Sequence, residues 1–163
     1  MILRAITLVG GLVVGAGASQ FPEFSQQYTQ RLGGAVDALS EVVADFDASA
    51  LAEGLTRNQA LEQMRGTDFI ERRRADMERT FLRHATLSDD LKVLSDASPF
   101  LRAYHGMRLR DRDVAQAAWD TFEPAVPLNV TGAIFAGVGF LVGLLSLSAV
   151  LAVLRWPLRR RTA

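Results

Sequence analysis

Two histidines, His84 and His105, are the side chains of this sequence best suited to proton transfer or metal ligation near neutral pH. Neither has a second His, a Cys or a carboxylate at a ligand spacing such as HExxH, so each reads as a structural histidine at a helix end. Cysteine is absent, which removes thiolate nucleophiles, disulfides and cysteine-held metals together, and fits an oxidising compartment. No GxSxG, P-loop or GxGxxG occurs, leaving nucleophilic and nucleotide chemistry without a local motif. The eighteen carboxylates read as solvated helix faces. An enzyme would need a cleft joining His105, Tyr104 and nearby acids. The residue types therefore lead to the expectation of a non-enzymatic protein with no catalytic residue, no cofactor and no metal.

The elements that would position any site begin with two apolar ends. Leu128 to Leu154, "LNVTGAIFAGVGFLVGLLSLSAVLAVL", runs 27 residues without a charge. As a helix it extends roughly 40 Å, enough to cross a bilayer with some tilt. It ends in "RWPLRRR", where Trp156 suits the headgroup level and Arg155, Arg159, Arg160 and Arg161 mark a cytoplasmic side. At the other end "MILR", "AITLVGGLVVG" and "AGA" have the parts of a secretory signal, with an A-x-A site at Ala16 to Ala18. Cleavage after Ala18 is one reading. An uncleaved signal-anchor is the other, since apolar character continues past that site through Phe21 and Phe24.

Charge sets the expected orientation. All eighteen acids lie between Glu23 and Glu123, with thirteen bases among them, whereas Arg4 and the Arg155 to Arg161 cluster lie outside. Both termini are expected in the cytoplasm and the acidic middle outside the inner membrane. An acidic middle also argues against nucleic acid, which needs a surplus of Lys and Arg on one face. Gly11 with Gly15 and Gly139 with Gly143 form two GxxxG pairs, and Ala133 with Gly137 a small-xxx-small pair. Counted from the arginine markers, Gly15 and Gly143 lie at one depth, so the two spans are expected to pack through these faces. The bland reading is that Gly and Ala are common in membrane helices.

Between the spans the sequence is helical throughout. Pro22 restarts or kinks the chain, after which Phe24, Tyr28, Leu32, Val36, Leu39, Val43 and Phe46 recur at spacings of three and four. Phe21, Phe24 and Tyr28 read as an aromatic belt where the chain leaves the membrane. Gly33 and Gly34 imply a bend or close contact with another helix. "DASALAEG" breaks the pattern, and Thr56 caps a second helix expected from Arg57 to about Ala85. Its Arg-rich stretch "ERRRADMERTFLR" pairs Asp68 with Arg72, Arg72 with Asp76 and Arg74 with Glu78 at four-residue spacing, a self-neutralising face, although a patch for anionic lipid or an acidic partner is the alternative. Ser88 is expected to cap a third helix that Pro99 interrupts, and Asp111 a short one containing Val114 and Phe122. Asn129 to Thr131 matches a glycosylation sequon by chance.

The strings "QFPEFSQQYTQRLGG", residues 20 to 34, and "FEPAVPLNVTGAIFAGVGFLVG", residues 122 to 143, resemble a family of uncharacterised proteobacterial inner-membrane proteins classed as a domain of unknown function. The likeness covers nearly the whole chain. It implies the two-span layout and a bacterial origin, and it carries over no activity and no site residue.

The expected architecture is all-α: an N-terminal transmembrane helix over residues 1–24, an extracytoplasmic helical, coiled-coil-like domain over 25–125, a C-terminal transmembrane helix over 126–156 and a basic cytoplasmic tail over 157–163. The expected role is an accessory protein that binds a membrane-protein partner or its own copies through helix packing. The alternative is a lipid or small-ligand sensing module with Arg31 or Arg102 near a headgroup.

Overall fold

A computed structural model describes residues 2–124 and 129–159, with side chains between Arg4 and Leu154. Among these residues there are helices and no strand: α1 (Ile2–Ser19), α2 (Phe21–Ala52), α3 (Arg57–Gln63), α4 (Asp68–Ser95), α5 (Pro99–Tyr104), a 3₁₀ turn (Gly106–Arg108), α6 (Arg112–Asp120) and α7 (Val130–Arg159). They form two compact units, Met1–Gln26 with Phe122–Ala163, and Gln27–Thr121.

In the first unit α1 and α7 lie side by side and antiparallel. A Cβ on Gly15 would meet Ala136 and Phe140, one on Gly11 would meet Phe140, and one on Gly143 would meet Val14. Two helical stretches, Arg4–Ala52, which begins with α1, and Val130–Leu154 within α7, are long and apolar enough to cross a membrane. Their outward side chains, among them Leu12, Val13, Leu141 and Leu145, are exposed, so the pair buries only the stripe facing its partner. α1 and α2 are separated by one residue, Gln20, whose N–H reaches the Gly17 carbonyl at 3.2 Å. Pro22, in the first turn of α2, has no N–H to continue the α1 ladder, and the Phe24 N–H resumes it on the Gln20 carbonyl at 3.0 Å. α7 starts on Asn129, whose side chain accepts from the Gly132 N–H at 2.7 Å, which gives the sequon residue a structural use as a helix cap.

In the second unit Tyr28, Leu32, Val36 and Val43 of α2 are buried, as the three-four spacing requires. α4 runs antiparallel to α2 and meets it through side chains: Phe46 packs edge-on against Phe81 at 5.2 Å, and Ser40 meets His84 at 2.9 Å. The backbones of α1 and α7 approach closely where glycines line the contact, whereas α2 and α4 meet through side chains such as the Phe46 and Phe81 rings.

Several local expectations are corrected. The helix expected from Arg57 to Ala85 is two helices, because Gly66 adopts φ +112°, a left-handed conformation that ends one helix and admits Thr67 as the cap of the next. Ser88 caps nothing: α4 runs through it to Ser95, since acids following a serine suit a helix interior as well as a first turn. A Cβ added at Gly33 or Gly34 would meet nothing within 4 Å, and both lie inside an unbroken α2, so neither the helix break nor the close helix contact expected there is present. Phe122 lies beyond the end of α6. The Arg-rich face is rewired: Arg74 pairs with Glu78 at 3.7 Å, while Asp76 takes Arg73 and Arg79 at three-residue spacing in place of Arg72. Thr56 does cap α3, with the Gln59 side chain returning to the Thr56 N–H, and Ser98 and Asp111 cap α5 and α6.

Candidate functional site

The seam between α1 and α7 is built from glycines that remove steric volume. A Cβ at Gly139 would approach the Val14 carbonyl oxygen to 3.0 Å and the Gly15 Cα to 3.2 Å, and one at Gly143 would come within 3.2 Å of the Gly11 Cα. The pairs are therefore Gly15 with Gly139 and Gly11 with Gly143, one helical turn away from the expected Gly15–Gly143 level. Ala133 and Gly137 do not belong to the seam: both are exposed, and a Cβ on Gly137 would meet nothing within 4 Å. Ala136 lines it instead, its carbonyl 2.7 Å from where a Cβ on Gly15 would lie.

Around the seam's open end Phe21 stacks on Phe135 at 5.5 Å, and Phe24 meets Phe122 edge-on at 5.9 Å. Tyr28 departs from the belt reading. It is 0% exposed inside the second unit, where its hydroxyl accepts the Asp111 N–H at 3.1 Å and donates to the Arg108 carbonyl at 3.5 Å. Burial pushes this hydroxyl above its ordinary pKa, so it remains a neutral donor throughout the physiological range. Of the arginine markers, Arg4 is exposed on α1. Arg155, Trp156 and Arg159 lie in the last turns of α7 with side chains outside the described part, and Arg160 and Arg161 lie outside the described residues.

Tyr28 belongs to a polar lock that ties the segment after α5 to α2 and α4. Asp90, 2% exposed, receives Arg108 at 2.8 Å and lies 3.7 Å from Arg110. Arg108 also pairs with Asp89, whose carboxyl this bond holds below the usual range. Arg83 of α4 bridges Asp111 at 3.1 Å and Asp113 at 2.8 Å. A buried carboxylate with a guanidinium bonded to one oxygen and a second guanidinium near the other is a fastening. Arg31 and Arg102, the expected headgroup partners, also bond within the unit, to Thr121 at 3.2 Å and to the Leu94 carbonyl at 3.0 Å.

The histidines are not brought to a common cleft. Tyr104, 83% exposed, lies edge-on to His105 at 5.1 Å. Ser40 and His84 form a hydroxyl–imidazole pair, the arrangement of an activated nucleophile, yet Ser40 Oγ already donates to the Val36 carbonyl at 2.8 Å. Its single proton is thus used, and Nε2 is left to donate to the hydroxyl, the reverse of what a general base does. Two open grooves mark the second unit. One, of about 680 Å³, runs between Leu39, Leu82, Arg83 and Leu87; the other, of about 470 Å³, lies between Phe46, Ala50, Leu55, Met64 and Ile70. Among the described residues no three His, Asp or Glu side chains gather as a metal site requires.

The sequence reading missed the Tyr28–Asp90–Arg108–Asp111 lock. Its only linear trace is the alternating "MRLRDRD" beyond "SDD", and opposite charges eighteen residues apart specify no partner before the fold exists.

A family model described as a protein of unknown function, DUF2937, matches residues 1–160. No curated protein and no solved structure matches the chain. The chain belongs to the DUF2937 family, whose description assigns no activity.

Proposed function

We propose that the chain is a two-pass bacterial inner-membrane protein without catalytic activity, whose helical middle domain engages a membrane-protein partner or a second copy of itself. In this reading α1 and α7 cross the bilayer as an antiparallel hairpin, both termini are cytoplasmic, and the coiled-coil-like middle is periplasmic.

The observation that carries the reading is the contrast between the two faces of the hairpin. The inner face is pared to glycine and the outer face is apolar and exposed along its length, from Leu8, Val9, Leu12 and Val13 on α1 to Val138, Leu141, Val142 and Leu145 on α7. Soluble proteins rarely expose apolar patches beyond a few hundred Å², and two whole helices far exceed that, whereas lipid removes the cost. Orientation rests on Arg4 and the Arg155 to Arg161 cluster against the acidic middle. An accessory role rests on the chemistry of the second unit, where buried polar groups fasten helices to one another.

Purification of the tagged full chain from its native membrane in mild detergent, with mass spectrometry of what remains bound, tests this. A stoichiometric membrane-protein partner or a homo-oligomer is expected. Recovery from the soluble fraction, or a lone chain that turns over a substrate and loses turnover when one groove residue is changed, would overturn it.

A further inference from the structure

We propose that Ala16–Gly17–Ala18 is a latent signal-peptidase site that α7 keeps closed, so that loss of the first eighteen residues depends on whether the α1–α7 seam has formed. The inference rests on the membrane reading above and deepens it: α1 is retained as a span because its partner helix shields the cleavage site.

The sequence around the site is complete as a signal: Arg4, an uncharged run from Ala5 to Gly15, then small residues at positions 16 and 18. Ala18 lies fourteen residues beyond Arg4, about 21 Å along a helix, which carries it toward the face of the bilayer opposite Arg4. A requirement for small side chains two residues apart is the mark of a substrate read as an extended strand. In a strand the two lie on one face and can enter neighbouring pockets together; in an α-helix they are about 200° apart.

The fold makes the motif unreadable in that sense. α1 is helical through Ser19, with Ala16 exposed on one side and Ala18 turned to α7 on the other. A Cβ on Gly139 would come within 2.5 Å of the Ala18 Cβ, so this alanine fits only because its partner is glycine. The residue after the bond to be cut is also held. Ser19, 6% exposed, donates from Oγ to the Ala16 carbonyl at 2.7 Å and accepts the Gln20 side-chain amide at 3.0 Å. The Gln20 N–H bonds to the Gly17 carbonyl, and Phe21 stacks on Phe135 of α7 at 5.5 Å. A peptidase must unwind residues 16 to 20 and pull Ala18 and Phe21 off α7 before it can bind the strand. Because α7 is C-terminal, a chain whose last helix has not yet packed still presents an open signal. Cleavage therefore removes α1 from chains that fail to close the hairpin.

The full chain with a C-terminal tag is expressed in a bacterium, and its N-terminus is read by intact mass from isolated membranes. The parent chain is expected to keep residues 1–18. Gly139→Ala and Gly139→Leu crowd Ala18 by increasing amounts, and the share of chains beginning at Ser19 should rise in that order. For leucine the rise should be roughly tenfold or more. Gly137→Leu, at a position where a Cβ meets nothing, should stay intact. Ala16→Leu added to Gly139→Leu places bulk at an exposed site outside the seam, and should return the cleaved share to the parent's level. That rescue distinguishes signal peptidase from general proteolysis of a misfolded chain. If the parent itself begins at Ser19, the two-pass reading fails together with this one. If the parent is intact and Gly139→Leu also stays intact, is cut elsewhere than after Ala18, or is not rescued by Ala16→Leu, the guarding by α7 alone is overturned.

Discussion

Adding one methyl group to the α1–α7 seam tests the packing directly. In Gly15→Ala the new Cβ would lie 2.7 Å from the Ala136 carbonyl oxygen and 3.2 Å from the Phe140 backbone N. The first distance is about 0.7 Å inside the 3.4 Å at which ordinary contact begins, and its partner is backbone, which no rotamer change can move aside. The helices must separate by a comparable amount. Separation on that scale forfeits roughly a quarter to a half of the attraction at each seam contact, and overpacking of this kind costs about 1–3 kcal/mol. Gly137→Ala is the matched control, because its Cβ meets nothing; it should be neutral, or stabilising by up to about 1 kcal/mol from helix propensity. Gly10→Ala should fall near the control, since its new atom meets only the movable end of Leu147. Thermal unfolding of the full chain in one detergent, followed by circular dichroism, is the assay. Equal midpoints for Gly15→Ala and Gly137→Ala would refute the seam as described.

Tyr28→Phe removes the acceptor of the Asp111 N–H and the donor to the Arg108 carbonyl without changing the ring; a loss of about 1 kcal/mol is expected in denaturant unfolding of the full chain. Asp90→Ala should cost about 1.5–3 kcal/mol, because the carboxylate is buried and bonded to a charge, whereas Asp89→Ala, at 65% exposure, should leave the same unfolding midpoint nearly unchanged. A pH titration of the melting temperature has a definite sign. Hydrogen bonds from Arg57 and Arg108 depress the Asp47 and Asp89 carboxyls in the folded chain. Their contribution is therefore complete above the ordinary aspartate value of about 3.9 and is lost as pH falls through the folded values. Asp47→Asn should flatten the acid limb and leave the neutral region's slope unchanged, with Asp89→Asn adding little because that pair is solvent-screened.

What was legible in the sequence was what local chemistry decides. The uncharged run before Leu154 makes a long helix whatever surrounds it, and Thr56 and Asp111 cap helices because each needs only a backbone N–H three residues on. The apolar spacing of α2 likewise identified Leu32, Val36 and Val43 as core. Less legible was anything set by a distant partner. Tyr28 looked like a belt residue because its neighbours Phe21 and Phe24 are aromatic, and only the arrival of Asp111, eighty-three residues later, buries it. Small residues recur on two rows of α7, and sequence alone could not tell the Gly139–Gly143 row from that of Ala133 and Gly137. The break before α4 depends on one glycine's left-handed backbone, which the helical pattern across Met64–Thr67 conceals. The candidate site shares this limit. Its arginines and aspartates were visible as charges, but their pairing is tertiary.

Cysteine accessibility in intact cells tests the central claim, that two apolar helices place the middle domain on one side of a bilayer and both ends on the other. With the cysteine-free chain as background, Leu51→Cys and Thr162→Cys are exposed separately to a membrane-impermeant maleimide, in spheroplasts and after permeabilisation. The account requires position 51 to label in intact spheroplasts and position 162 to label only once the membrane is opened. Labelling of position 162 in intact spheroplasts, or protection of both positions, would contradict it.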